Sequence, residues 1–538
     1  MFTFRHIITD FEECPSGGHT DVMTRWIYIL VGFLASPALA QNALECFAPG
    51  LAPDAKVAAC TRTLEPKGLA PDVRALMFLN RAEAYIAQGD TAKALIDCEA
   101  ALILTPADPT ALLARGKLLE AAGNLRAAEA DYTAALKASA TLAEAYVLRG
   151  ALRLKRGEAA QGIADLGEAR RFNSKDATAF KLRGAYFLKT GDVDQATAEL
   201  EQAAGLAPDD SEIQTLLAAA RLKRGHTTDA AAIYTAALAA NPQDAAAYRG
   251  RATAYARAGN FPAAVADFTA ALQLNPNDVA ALEGRGMAHL RSGTFAPSVT
   301  DLTTLIKLRP ADAGPLFFRA NARLQNNDAK GADLDFTAFL TRQPGDLEAR
   351  MGRALARQFA QDPAGAEADF STVLKALPQA AEALAGRGAV RFMQNDFKGA
   401  AADFAAALSL PGAPPDLALW RFLAERRAGL NADPALIAAA KPLADGVWPA
   451  PVMHYFSGAL EGDAVLAAAA QKTPGEPDAV SGRLCEAYFY LGEAALMVED
   501  TAEAAKLFKA ALDTGMTRYR EHAAAQAELS RLKFAAKP

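Results

Sequence analysis

The sequence predicts an all-α protein, a solenoid of stacked helix–turn–helix hairpins, and three observations predict it. Offsetting the 538-residue chain against itself by 34 residues aligns Ala75 through Pro414 without a gap, as ten units. Small and large residues recur at fixed slots of the unit, as close-packed helix pairs require. A glycine recurs midway and a proline near the end, where helices stop. Composition agrees: 51% hydrophobic residues, 22% charged and a formal net charge of −6 describe a core-forming chain. They exclude disorder, a collagen-like rod and the basic excess of a nucleic-acid binder. Six scattered histidines leave few candidates for metal or acid–base chemistry.

The chain opens on residues 1–40, a leader. From Met23 it runs MTRWIYILVGFLASPALA, with one cation, Arg25, an apolar stretch from Trp26 to Leu34, Pro37, and then Ala38-Leu39-Ala40. This is the pattern of a secretory signal peptide cleaved after Ala40, and it implies a periplasmic mature protein. The apolar run is about ten residues, against the roughly 20 that a spanning helix needs, so no integral span is expected in the mature chain. Residues 1–22 are acidic and carry a Pro-Ser-Gly-Gly turn, unlike the start of a signal peptide, and Met23 is the expected true start. In an oxidising compartment Cys46 and Cys60 are the expected disulfide, with two reduced thiols as the alternative. Ala43-Leu44-Glu45 before Cys46 is no lipid-attachment signal. Residues 41–74 are therefore an N-terminal capping segment, with Lys56 to Glu65 as a lone second helix.

Residues 75–414 are the ten units. Slot 8 holds only Ala or Gly, from Ala82 and Gly116 to Ala354 and Gly388. Slot 24 is mostly large, as in Tyr132, Leu200, Phe268 and Phe404. Slot 15 carries Gly89, Gly123, Gly157, Gly191, Gly225, Gly259 and Gly293, with Asn327 and Asn395 later. Slot 32 carries Pro106, Pro208, Pro242, Pro276, Pro310, Pro344 and Pro378. With runs such as AYRGRATAYARAGNFPAAVADFTAALQLNPND, Ala247 to Asp278, the sequence resembles the tetratricopeptide repeat (TPR) family. That resemblance implies an α-solenoid superhelix, here of about 11–12 units with capping helices. It also implies an inner surface lined by first-helix slots 2, 5, 9, 12 and 13.

Slot 7 is arginine in nine of ten units and slot 23 is acidic in the same nine, among them Arg81 with Asp97 and Arg285 with Asp301. The fifth unit replaces both members at once, with Leu217 and Ile233. Concordant loss predicts a partly buried ion pair between the two helices of a unit, since one partner alone would strand a desolvated charge. An arginine ladder for phosphate is the weaker reading.

Residues 415–484 break the period and, with Trp420, Trp448 and Tyr455, predict a degenerate helical junction with a heavier core. In residues 485–538 a final unit resumes, followed by a capping helix from Tyr519 to Lys533. Cys485 to Leu532 resembles the closing repeat and terminal helix of NlpI-type envelope TPR lipoproteins. That resemblance implies an envelope adaptor with peptidoglycan-processing enzymes among its partners.

No HExxH, GxxxxGK[ST] or GxSxG occurs, so no metal, cofactor or catalytic residue is assigned. His226 is expected to be solvated and His289 to be a packed core imidazole. The inner surface offers Lys155, Lys189, Lys223, Arg257 and Arg291 in slot 13 of units three to seven, flanked by Lys181 and Arg249 in slot 5. These cations would attract an acidic segment, although the last turn of a helix favours cations for its own dipole. Phe359, Phe392 and Met393 make the last units apolar, to anchor a partner or to pack. The function expected is a non-catalytic periplasmic scaffold binding a protein or peptide. The alternatives are a binder of an anionic envelope ligand such as a peptidoglycan fragment and, behind it, an enzyme sited in 415–482 around Trp420, Trp448 and His454.

Overall fold

The computed structural model describes residues 43–48, 50–65, 69–441, 447–472 and 479–535. The leader, the cleavage point after Ala40 and part of the loop before residue 479 lie outside the described residues. The described chain is helical, with no strand, and separates into two compact units divided after Pro242.

The first compact unit holds α1 (Pro53–Leu64), α2 (Pro71–Ala87), α3 (Thr91–Leu104), α4 (Pro109–Ala121), α5 (Leu125–Ala138), α6 (Ala143–Lys155), α7 (Ala159–Phe172), α8 (Ala177–Thr190), α9 (Val193–Leu206), α10 (Ser211–Lys223) and α11 (Thr227–Ala240). The second continues the repeat with α12 (Ala245–Arg257), α13 (Phe261–Leu274), α14 (Val279–Arg291), α15 (Phe295–Leu308), α16 (Gly314–Gln325), α17 (Ala329–Arg342), α18 (Leu347–Phe359), α19 (Pro363–Ala376), α20 (Ala381–Met393) and α21 (Phe397–Leu408). It closes with α22 (Leu417–Arg427), α23 (Asp433–Ala440), α24 (Ala450–Phe456), α25 (Gly462–Ala469), α26 (Ala479–Met497), α27 (Thr501–Asp513) and α28 (Arg520–Ala535). From α2 to α21 the even-numbered helices are first helices of a unit and the odd-numbered ones are second helices.

Local chemistry sets each boundary. The slot-15 glycines end the first helices at φ between 76° and 91°, the left-handed region where a side chain is strained. Asn327, Gln361 and Asn395 adopt the same conformation later in the chain. One residue on, a short polar side chain caps the second helix: Asp90 accepts from the Lys93 backbone N–H and Asp328 from that of Gly331.

Between the helices of a unit, slot 8 faces slot 24. A Cβ on Gly116 would sit 2.5 Å from the Tyr132 ring, and one on Gly184 2.6 Å from Leu200. Small residues are therefore steric requirements at this crossing. A second contact was not legible in the repeat pattern. Where slot 24 is Phe268, Phe336 or Phe370, slot 6 of the next unit is glycine, and a Cβ on Gly284, Gly352 or Gly386 would come within 2.3–2.4 Å of that ring. The one polar slot-20 residue, Ser298, is buried and donates to the Gly286 carbonyl at 2.7 Å.

All nine arginine–acid pairs form. Arg285 donates from Nε and Nη2 to both oxygens of Asp301, at 2.8 and 2.7 Å, and from Nη1 to Thr269 of the preceding unit at 3.1 Å. Asp301 is buried and the guanidinium half-buried. The same hydroxyl bridge to the preceding unit joins Arg149 to Thr133, Arg319 to Thr303, Arg353 to Thr337 and Arg387 to Ser371. In the fourth unit the acid is the longer Glu199, and the two-pronged fork gives way to a single 3.2 Å contact with Arg183. Four units add a second arginine, in slot 11: Arg153, Arg323, Arg357 and Arg391 each reach the same aspartate at 2.8–2.9 Å. Arg153, Arg357 and Arg391 also bond Glu129, Asp333 and Glu367 of the preceding unit. The pair thus ties the two helices of a unit together and, in the third unit and the seventh to tenth, ties the unit to the one before.

Substituting Arg285→Leu leaves Asp301 buried without its partner and is expected to cost about 3 kcal/mol. Arg285→Leu with Asp301→Leu removes both charges and is expected to cost less, as measured by urea unfolding of the two variants. The opposite order would contradict this account of the pair.

Candidate functional site

The N-terminal segment packs as a small core in which Cys46 and Cys60 form a disulfide, with Ala43, Ala59, Leu64, Val73 and Met77 around it. Closing that short loop contributes on the order of 3 kcal/mol in the chain-entropy account. Cys98 and Cys485 are free and buried, and desolvation pushes both thiols up to about 12, which leaves them unreactive near neutral pH.

The slot-13 cations of the first compact unit stand at or beside the ends of α6, α8 and α10 and are exposed. Lys155 is 64% exposed, its nearest acid being Glu120 at 3.9 Å. Lys189 is exposed and has no ion-pair partner among the described residues. Lys223 donates to the Leu188 carbonyl in the last turn of α8 at 2.9 Å, leaving its charge uncompensated by any nearby acid among the described residues. In the second compact unit Arg257 and Arg291 are also exposed, at the last residues of α12 and α14.

The slot-5 cations sit differently. Lys181 is 2.7 Å from Glu212 and 3.7 Å from Asp210, the residue capping α10. Arg249 is 2.5 Å from Asp278, which caps α14. Both are held in ion pairs to residues at the N-terminus of the next first helix.

The apolar residues of the last units are packed. Phe392 is fully buried, and Met393 and Phe359 join one core with Trp420, Phe489, Leu529 and Leu532. Their cover is α28, which lies across the ends of α18 and α20. Gln361 donates to the Ala523 carbonyl at 3.3 Å, and Arg531 donates to the carbonyls of Phe392 and Met393. Just ahead of the helix, Arg518 donates to Gln325 at the end of α16 at 2.5 Å. The capping helix expected here covers the ends of two successive first helices, α18 and α20, and the turn before it reaches a third through Arg518.

Among its described residues the irregular block gathers no His, Cys, Asp and Glu group that could hold a metal. Trp420 is fully buried, stacks on Phe489 at 5.1 Å, and donates its indole N–H to Glu521 at 2.8 Å. Trp448 donates its own to Glu486 at 2.6 Å. Neither indole N–H is left to bind a substrate. His289 departs from the packed imidazole expected of it: it is half-buried and meets the Thr294 hydroxyl at 2.8 Å, with burial lowering its pKa. His226 is exposed at the start of α11. Among the described residues there is no His, Cys, Asp and Glu group that could hold a metal, and no helix long and apolar enough to cross a membrane.

The site most perturbed electrostatically lies between α26 and α28. Glu486 and Glu493 on α26, and Glu521 and Glu528 on α28, each recur after seven residues and face one another across the interface. Burial first, and then the opposing carboxylate, pushes Glu486 and Glu493 up to about 8, and burial raises Glu521. Arg427 spans one pair, at 2.8 Å from Glu493 and 3.6 Å from Glu528.

Paired helices of 34-residue period with small-to-large crossings define a repeat protein of the interaction-scaffold class. The tetratricopeptide repeat family profile matches residues 215–279, 250–313 and 351–416, so this part of the chain is built of tetratricopeptide repeats. It is similar to a tetratricopeptide repeat protein from Parabacteroides merdae, at 21% identity over 46% of this chain and 98% of that one, with a TM-score of 0.32. It is similar to YrrB, described as a TPR protein with an unusual peptide-binding site, at 21% identity over 35% and 97% of the two chains, with a TM-score of 0.31. Similarity to pilF of Pseudomonas aeruginosa is 16% over 38% and 94%, with a TM-score of 0.35. No curated protein matches the chain.

A carboxyl whose pKa is raised by folding contributes stability that is complete below its unfolded value and is lost as pH rises through the folded one. The packing of α26 on α28 is therefore expected to weaken between about pH 4.5 and about pH 8. Trp420 and Trp448 lie in this block, so their emission should shift to the red over that range while far-UV helicity of the repeats persists. Emission that stays constant to alkaline pH would contradict the assignment.

Proposed function

We propose that the protein is a non-catalytic adaptor of the bacterial periplasm that holds an acidic segment of a partner protein against the first-helix edge of units three to five. The observation that carries this reading is the repeated exposure of Lys155, Lys189 and Lys223 at one slot of three successive units, without a close acid to neutralise them. A structural cation has a partner in its own fold, as Lys181 and Arg249 do. Lys189 has none among the described residues, and Lys155 and Lys223 keep only a 3.9 Å contact with Glu120 and a backbone carbonyl, so the three create a field of a single sign that an acidic chain can answer.

Export is supported by the signal-like residues 23–40 and by the Cys46–Cys60 disulfide, which persists in an oxidising compartment. The envelope role is supported by the likeness of Cys485 to Leu532 to NlpI-type proteins, which makes peptidoglycan-processing enzymes a natural partner class. An anionic envelope polymer, such as a peptidoglycan fragment, would use the same lysines.

Lys155→Glu, Lys189→Glu and Lys223→Glu together are expected to leave helicity unchanged and to abolish capture of partner proteins from envelope extract, an interaction that salt weakens in the parent. Retention of purified sacculi in place of protein would favour the polymer, and capture unaffected by the three changes would remove the lysine edge from the function. Mass spectrometry of the exported protein should find Gln41 at its N-terminus and a Cys46–Cys60 linked peptide. A mature chain beginning at another residue would displace the cleavage site.

A further inference from the structure

A cap built for stability alone would meet the repeats through apolar side chains, since buried charges cost more to desolvate than they return. The seat of α28 is different. It packs on α26 and α27 and crosses the ends of α18 and α20. Slot 12 is fully enclosed in those two units, at Gln358 and Phe392, and in none of the other eight. Neither the amide N–H groups nor the carbonyl of Gln358 has a hydrogen-bond partner among the described residues, and one carboxyl oxygen of Glu493 is in the same state. Such groups weaken the closed arrangement relative to one that water can reach.

The seam between α26 and α28 sets carboxyl against carboxyl. Glu486 faces Glu521 near Asp416, at the start of α22, and Glu493 faces Glu528 beside Arg427. Arg427 is 2.8 Å from Glu493, Arg531 pairs with Glu528, and Arg520 is 3.7 Å from Asp416. Five carboxyls thus meet three guanidiniums among the described residues, and protons balance the closed seam. The other groups facing the seam do not supply that charge. Burial raises Tyr490 and Tyr519 above the ordinary phenol value, raises Cys485 to about 12 and lowers His522 below the ordinary imidazole value. Arg357 and Arg391, near the ends of α18 and α20, are spent on Asp369 and Asp403, and α27 leaves Lys506, Lys509 and Asp513 exposed.

We propose that α28 is a proton-held latch. It stays across α18 and α20 while the carboxyls on its seam with α26 keep their protons, and it lifts as a unit when they lose them. Lifting uncovers Phe359, Phe392 and Met393 while the repeats stay folded. Carboxyls raised in the closed state give it stability that is complete below their open-state value and lost as pH rises through about 8, so acid closes the latch and alkali opens it. The inference is independent of the lysine edge.

The full chain carries its own reporter. Cys485 is fully buried on α26, bonded to Thr514 and close to Glu521, while Cys98 is equally buried in the first compact unit. Alkylation by iodoacetamide is followed as the ratio of the Cys485 rate to the Cys98 rate, which cancels the intrinsic rise of thiolate with pH. That ratio is expected to increase at least about tenfold between about pH 6 and about pH 9, with far-UV helicity retained. Glu486→Gln with Glu493→Gln puts a neutral amide where each protonated carboxyl stands, and is expected to hold the ratio at its acid value throughout. A ratio independent of pH in the parent, or a rise that persists in the double variant, overturns the latch. Should the double variant fail to fold, amide exchange of the parent decides. Protection lost above about pH 8 over residues 520–535 alone supports the latch, and protection lost together with that of α18 and α20 overturns it.

Discussion

The forked arginine–aspartate contact between the two helices of a unit is the constraint on which the stack depends. A guanidinium can satisfy both carboxylate oxygens with two parallel donors and still offer a third to a neighbour. Here the third goes to the hydroxyl of the preceding unit in five places. One residue thereby fixes the angle within a hairpin and the step to the previous one. Apolar packing supplies most of the attraction, but small-to-large crossings tolerate sliding more readily than a bidentate ion pair does. The fifth unit, in which the pair is replaced by Leu217 and Ile233, is the one that ends the first compact unit.

The C-terminal block solves a different problem. A repeat array ends on an unpaired apolar face, which must be covered. Trp420, Phe404, Phe489 and Phe508 fill the interior, and α28 is laid back across units nine and ten. The covering helix brings carboxylates with it, and these are tolerated because Trp420, Tyr490 and Arg427 donate to them. Burying carboxyls against one another across one interface raises the pKa of Glu486 and Glu493 and makes this interface pH-sensitive.

These two features bear on function together. Arginines in slot 7 are consumed by structure, as are the slot-5 cations Lys181 and Arg249, whereas the slot-13 lysines of units three to five are not. In units eight to ten the edge becomes Gln325, Phe359 and Met393 and is covered in cis. Slot 13 is thus basic and exposed in units three to five of the first compact unit, and carries Gln325, Phe359 and Met393 beside the C-terminal helix in the second.

The sequence by itself determined the repeating hairpin and its ion pair, because a period of 34 residues places the same contact in every unit and a sixteen-residue spacing can be checked nine times. The glycine stops and small-to-large crossings were legible for the same reason: each is decided by near neighbours. The slot-11 arginines could have been found from their acids one unit back, such as Arg357 with Asp333. The return of α28, the burial of Phe359 and Met393, and the division after Pro242 were decided only in the tertiary structure. They rest on contacts such as Gln361 with Ala523, 162 residues apart, or Trp420 with Glu521, 101 apart, which no internal period relates. Whether a lysine is neutralised or left for a partner likewise depends on which capping aspartate lies within reach, a question of geometry that spacing alone does not answer.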